Sequence, residues 1–206
     1  MYKLVEIFKS FQGEGRNTGR QVVFVRFAGC NLACPWCDTN HSPRFELKLE
    51  DLLDEIEQES GYSCPREQIK SIILTGGEPT IQPNMPELIA ALKSRGYWIA
   101  VETNGTNSLD WLQFVDYIAC SPKRFSPSTP LHGQPLTHAN EVRIVADSPD
   151  IIDFAREIRS RITATDYYIS PCDHDGQIDF ATAKEVLSHL PDWSLSVQLH
   201  KILGFR

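Results

Sequence analysis

Nowhere do the 206 residues hold an apolar run near the roughly 18 that a membrane-spanning helix needs. Met1-Tyr2-Lys3-Leu4 leads straight into charged residues, so no apolar signal segment is expected. A basic excess is also missing. The 20 Lys and Arg stand against 27 Asp and Glu, and the net charge of -7 has the wrong sign for a phosphate-neutralising footprint. Nonspecific nucleic-acid binding is therefore not expected. No Ser/His/Asp triad, acid–base carboxylate pair, internal repeat or low-complexity segment stands out. Cysteine is sparse, six in all, and Cys64, Cys120 and Cys172 are scattered without metal spacing, so they read as small buried apolar side chains. Six thiols in such a chain fit a reducing cytoplasm, which is the expected location. With 41% hydrophobic residues the chain suits one domain, residues 1–206, with a sizeable core.

The other three cysteines are not scattered. Cys30-Asn31-Leu32-Ala33-Cys34-Pro35-Trp36-Cys37 sets three thiols at Cys-x3-Cys-x2-Cys spacing and continues as Asp38-Thr39. Thiolates hold iron–sulfur clusters, and closed ferredoxin-type clusters use four of them. Three thiols in one loop leave one iron of a four-iron cluster open to a substrate or cofactor. Zinc needs a fourth Cys or His at short spacing, and the nearby His41 lacks it. A disulfide would strand one of three thiols. Inert thiols are the remaining alternative.

Along the chain, Tyr2 to Ser10 reads as a leading strand and Gln12-Gly13-Glu14-Gly15 as a turn. Gln21 to Ala28, β-branched and aromatic, is a buried strand feeding the cysteine loop. Leu49, Leu52, Leu53 and Ile56 recur at helical spacing. Ser71 to Thr75 is a continuous apolar run, as in a parallel strand covered on both faces, and it breaks at Gly76-Gly77-Glu78-Pro79. A helix carrying Leu88, Ile89 and Leu92 follows, then a strand from Trp98 to Val101 that breaks at Glu102-Thr103-Asn104-Gly105. A short helix around Leu109 to Phe114 leads to strand Tyr117 to Cys120, which breaks at Ser121-Pro122-Lys123. Arg124 to His138 carries three prolines and reads as a surface loop. Glu141 to Val145 is a strand, and Ser148-Pro149 should cap a helix reaching about Ile162. Tyr167 to Ser170 is a strand broken at Pro171, Ala181 to Leu190 a helix, and Leu195 to Leu199 the last strand.

This alternation implies right-handed crossovers. The expected fold is α/β, a partial (open) β/α barrel of six to seven mainly parallel strands. The unusual segments each fall just after a strand: the cysteines, Gly76 to Pro79, Glu102 to Asn104, Ser121 to Lys123, Ser170-Pro171-Cys172-Asp173 and Gln198 to His200. In parallel α/β folds such ends share one face, where sites are built.

The cysteine spacing after an apolar strand resembles the radical S-adenosylmethionine (SAM) superfamily. Phe11-Gln12-Gly13-Glu14-Gly15, Gly19, Phe24-Val25-Arg26-Phe27-Ala28-Gly29-Cys30, Trp36-Cys37-Asp38-Thr39 and the ending Gln198-Leu199-His200-Lys201 together resemble its 7-carboxy-7-deazaguanine synthases. The resemblance runs the length of the chain. It implies a lyase of queuosine and 7-deazapurine biosynthesis that turns 6-carboxy-5,6,7,8-tetrahydropterin into 7-carboxy-7-deazaguanine. Hydrogen abstraction at C6, radical ring contraction, loss of ammonia and return of the hydrogen would follow in turn, with SAM used catalytically.

The resemblance also implies roles. Cys30, Cys34 and Cys37 would hold a [4Fe-4S] cluster whose open iron chelates SAM. Trp36, Cys37, Asp38, Gly77, Glu78, Ser121, Pro122, Lys123, Ser170, Pro171, Cys172 and Asp173 would bind that cofactor, with Trp36 beside the adenine. The ammonium would be met by Glu78 or a carbonyl of its turn. Glu102 and Asn104 either bind ribose hydroxyls or cap their turn. Phe11, Gln12, Gly13, Glu14, Arg26, Thr75, His200 and the terminal carboxylate of Arg206 would contact the substrate, and Lys201 reads as surface. Thr39 would ligate Mg²⁺, a hard cation that takes hydroxyl and substrate oxygens. A flavodoxin- or ferredoxin-type electron donor and a homodimer are the expected partners. A glycyl-radical-enzyme activase shares the loop type but not Gln12 to Gly15 or Cys37 to Thr39. A non-enzymatic iron–sulfur redox protein would gain nothing from an open iron.

Overall fold

Val23, Val25 and Phe27 alternate with Val22, Phe24 and Arg26 along one strand, so the two sets must leave opposite faces of a sheet. In a computed structural model of the chain they do. The structure describes residues 1–35, 37, 39–61, 68–124, 135–174 and 176–205. The strands are β1 (Tyr2–Phe11), β2 (Gln21–Phe27), β3 (Phe45–Leu47), β4 (Ser71–Gly76), β5 (Trp98–Thr103), β6 (Tyr117–Cys120), β7 (Glu141–Ala146), β8 (Asp166–Pro171), β9 (Asp173–His174), β10 (Gln177–Ile178) and β11 (Ser194–Leu195). The helices are α1 (Leu49–Glu59), α2 (Met85–Ser94), α3 (Ile151–Arg161), α4 (Phe180–Ser188) and α5 (Leu199–Leu203). Nine strands form one sheet in the order β11-β8-β7-β6-β5-β4-β2-β1-β3, and β9 with β10 make a separate hairpin. From β2 to β11 seven strands pair in parallel, while β1 pairs antiparallel with β2 and β3. The end strands β11 and β3 do not meet, so the sheet is a partial, open barrel.

The outer face buries Val23, Val25, Ile72, Leu74, Ile99, Val101, Val142 and Ile144 against Leu53 and Ile56 of α1, Leu88 and Leu92 of α2 and Ile158 of α3. On the inner face the character changes along each strand. Near the strand starts lies a small apolar cluster of Val22, Ile73, Ala100, Tyr117 and Ala119, with Phe24 and Trp98 against it. Two residues further along β2, β4 and β5 the inner positions become Arg26, Thr75 and Glu102, which line a cleft with Arg143 of β7. Burial of the apolar outer set drives the sheet together, at about 25 cal/mol per Å² removed from water, and frees the inner face for polar work.

Four details differ from the sequence expectation. β3 was not expected; three residues are too few to show a period. The last strand stops at Leu195, because Ser196 N–H closes the ladder on Ile169 and the chain then turns into α5, with Leu199 N–H donating to Gly13. α3 begins at Ile151 without a side-chain cap, since the Ser148 hydroxyl accepts from Arg124 instead. The short helix near Leu109 is a 3₁₀ segment, Asp110–Phe114. Most of the loop expected over Arg124 to His138, and Cys64, lie outside the described residues.

Because β1 runs against the parallel strands, the loop joining it to β2 sits at their starting ends. It crosses beneath the barrel. Arg20 stacks on Trp98 at the start of β5, 4.1 Å from the ring centroid, Arg16 pairs with Asp166 at the start of β8 at 2.6 Å, and Gly15 N–H donates to Ser196 Oγ. The open barrel thus acquires a floor, and α5 rests on it through Gly13.

Candidate active site

The cysteine loop leaves β2 at Gly29, which takes a left-handed φ of 82° and donates its N–H to His41 O, closing the loop on itself. Within it Cys37 N–H donates to Cys34 O and Leu32 N–H to Cys30 Sγ. Cys30, Cys34, Cys37 and Thr39 all line the cleft, whose volume is about 400 Å³. Burial pushes the Cys30 and Cys34 thiols above their ordinary range, so a cation must displace those protons before they ligate. Among the described residues no three His, Cys, Asp or Glu groups converge tightly enough for a single metal ion. A cluster asks less of convergence, because each thiolate meets a different iron. Three soft donors on one pinned loop, facing a roomy cleft, fit an iron–sulfur cluster with one iron open. Trp36 and Asp38 lie outside the described residues.

Gly76 and Gly77 show why this turn needs glycine. A Cβ on Gly77 would stand 1.8 Å from Gly29 O, and one on Gly76, at φ 126°, 2.2 Å from Phe27 O. The turn lies directly against the start of the cysteine loop, and Glu78 N–H donates to Gly29 O. Both glycines face the cleft, whereas the Glu78 side chain is fully buried beside it. Its Oε1 accepts from Thr80 N–H, Thr80 Oγ1 and Thr103 Oγ1, and its Oε2 from Asn104 N–H. This carboxylate is therefore committed to the rim. Asn104 donates to Asn31 Oδ1, and Asn31 to Thr106 Oγ1, so the turns after β2, β4 and β5 are one bonded unit. Asn104 and Glu102 both reach the cleft.

Ser121 and Lys123 line the next stretch of rim, with Lys123 Nζ donating to Ser121 Oγ at 2.6 Å. Burial lowers the Lys123 ammonium, partly offset by the Cys34 thiol and Glu14. Pro122 instead lines a smaller neighbouring cavity of about 90 Å³ under Leu136 and Phe154. Pro171, Cys172 and Asp173 face the main cleft, whereas buried Ser170 does not. Asp173 pairs with Lys201 at 2.8 Å, so Lys201 is a strap between β9 and α5 instead of a surface residue.

The floor loop supplies Phe11, Gln12, Gly13 and Glu14 from below, with His200 packed on Gly13, where an added Cβ would come within 2.4 Å of its Nδ1. Arg26 pairs with Glu6 at 2.8 Å through Nε and still lines the cleft, as does Thr75 beside it. Arg206 lies outside the described residues. The residue that the sequence did not single out is Arg143. It is 5% exposed and faces three carboxylates. Nη1 donates to Glu14 at 2.9 Å, Nη2 pairs with Glu102, and Nε sits 3.0 Å from Glu141 at an angle that makes no hydrogen bond. Gln12 donates to Glu102 and Gln198 to Glu14. Glu141 lies beneath, receives Tyr117 Oη–H and Arg16 N–H, and has its carboxyl raised chiefly by burial. The signal was available: Glu141-Val142-Arg143 puts two charges on one face of an otherwise apolar strand.

Comparison with known proteins agrees with this geometry. The family model described as the radical SAM superfamily matches residues 24–131. Proteins named 7-carboxy-7-deazaguanine synthase from Haemophilus influenzae and Neisseria meningitidis are 41% and 42% identical, each over 98% of this chain and 93% of the relative. One of the same name from Bacteroides thetaiotaomicron is 34% identical over the full length of both. The crystal structure of QueE from Escherichia coli superposes with a TM-score of 0.74 at 26% identity, covering 97% of this chain and 94% of that one.

Proposed function

The chain belongs to the 7-carboxy-7-deazaguanine synthase family of the radical SAM superfamily, and from that premise we propose that it is a carbon–nitrogen lyase. It converts 6-carboxy-5,6,7,8-tetrahydropterin to 7-carboxy-7-deazaguanine with loss of ammonia, in queuosine biosynthesis. Its cofactors are a [4Fe-4S] cluster on Cys30, Cys34 and Cys37, and SAM. When bound, they supply the one-electron chemistry that opens the reaction at substrate C6. What the protein adds is binding, orientation and exclusion of water.

The observation that carries this reading is the meeting of three cysteines, the close-packed Gly76-Gly77 turn and an acceptor-rich floor in one cleft. Gly77, Ser121, Lys123 and Pro171 to Asp173 hold the cofactor along the rim. Gln12 and Glu14 meet the nitrogen-rich ring, whose N–H groups need acceptors. Arg26 receives the substrate carboxylate, the anion that a guanidinium fork suits. Phe11, Gly13, Thr75 and His200 complete the substrate wall. Thr39 holds Mg²⁺ against the same substrate carboxylate. Residues 1–206 act as one domain, as a homodimer in the cytoplasm, reduced by a flavodoxin- or ferredoxin-type donor.

An anaerobic turnover tests it. The reconstituted protein receives reductant, SAM, Mg²⁺ and 6-carboxytetrahydropterin, and products are identified by mass. Formation of 7-carboxy-7-deazaguanine that weakens without Mg²⁺ is the expected result. Deoxyadenosine without that product would discard the substrate and return the activase reading.

A further inference from the structure

We propose that Arg143 is a positioning residue that divides its guanidinium between Glu14 and Glu102 and holds both as acceptors toward the donor edge of the substrate. The inference rests on the substrate reading above and deepens it. Glu14 and Glu102 come from elements far apart in the chain, the floor loop and the end of β5, yet both face one cleft. Two carboxylates brought together repel, and unless a cation stands between them one turns away or takes a proton. Arg143 supplies that cation from the middle of the sheet, on β7, a strand flanked by β6 and β8, with its own backbone opposite Tyr168 of β8.

The geometry is specific. One terminal nitrogen goes to each carboxylate, and each carboxylate is steadied from its other side by a primary amide, Gln198 on Glu14 and Gln12 on Glu102. An ionised carboxylate only accepts hydrogen bonds. The floor therefore presents two fixed acceptors with a guanidinium behind them. A heterocycle edge bearing ring N–H and amino groups meets such a surface with every donor engaged, and an edge bearing carbonyls does not. Glu141, outside the cleft, faces Arg143 from beneath and is itself held by Tyr117 and the Arg16 amide. Arg143 does not line up with the reacting carbon in this scheme; it acts through the two acids.

The test compares the reconstituted wild type with Arg143→Gln and Arg143→Lys. Three quantities are read: KM for 6-carboxytetrahydropterin, SAM cleavage without substrate, and iron content. Arg143→Gln should raise KM about tenfold, the factor for one hydrogen bond to a charged group. Arg143→Lys, which keeps the charge, should recover most of it. Iron content and substrate-free cleavage should stay at the wild-type level. An unchanged KM in Arg143→Gln overturns the inference. So does a parallel fall in iron, cleavage and product, which would make the role structural. Should Arg143→Gln fail to fold, Arg143→Gln/Glu141→Gln removes a repelling charge outside the cleft and should show the same rise in KM. Failure of both to fold also overturns it. If the wild type makes no 7-carboxy-7-deazaguanine, it is the substrate reading that has failed.

Discussion

Single residues in this protein carry more than one obligation, and Glu78 is the clearest case. Its carboxylate takes four hydrogen bonds in a site with no exposure. Glu78→Gln keeps the shape but turns an NH₂ group toward donors, and a buried unmet donor costs about 1–3 kcal/mol. Denaturant unfolding should show a loss of that size; a loss below about 0.5 kcal/mol, the usual range for surface changes, would contradict the account. Cys120 gives a second prediction, with its sign set by burial. Its thiol is pushed from an ordinary 9.0 up to about 12, with desolvation the main cause. A raised folded value means that this stability is present below about pH 9 and is lost as pH climbs toward 12. Between pH 9 and 10 the wild type should lose up to about 1.4 kcal/mol that Cys120→Ala does not lose. Equal slopes for the two proteins, measured by unfolding at each pH, would reject it.

At the scale of elements, the rim works because three turns are one bonded unit. Gly77→Ala would drive a methyl into Gly29 O. It should prise the turn from the cysteine loop, and iron content after reconstitution should fall to a minor fraction while helical content by circular dichroism stays near wild type. Full iron content in that variant would show that the close approach does not matter. This scale also separates what was legible in the sequence from what was not. The cysteines, Gly76-Gly77 and the strand-exit turns were legible because each is local: a spacing, a turn chemistry, an apolar run that stops. The β11 to α5 switch was not, since Leu195 to Leu199 looks apolar enough for a strand and only its docking on Gly13 makes a helix. Arg143 escaped for the same reason. Its partners lie 129 residues away at Glu14 and on another strand at Glu102, and only the sheet brings them together.

For the whole molecule, the order of the strands decides the function. A parallel run from β2 to β11 delivers the strand ends to one rim, where the cysteine loop and the strand-exit turns gather. The antiparallel β1 sends the Gln12 to Gly15 loop to the opposite end, so Gln12 and Glu14 reach the cleft from the floor. Rim and floor then face each other across one cleft of about 400 Å³. That opposition is the central claim, and hydrogen transfer across the cleft tests it most directly. The measurement is an anaerobic turnover with 6-carboxytetrahydropterin deuterated at C6, following the label and the SAM consumed. The account predicts 7-carboxy-7-deazaguanine in molar excess over SAM consumed, with deuterium returned to the product pool and SAM regenerated. Deuterium held in deoxyadenosine, one SAM spent per event and no deazaguanine formed would contradict it.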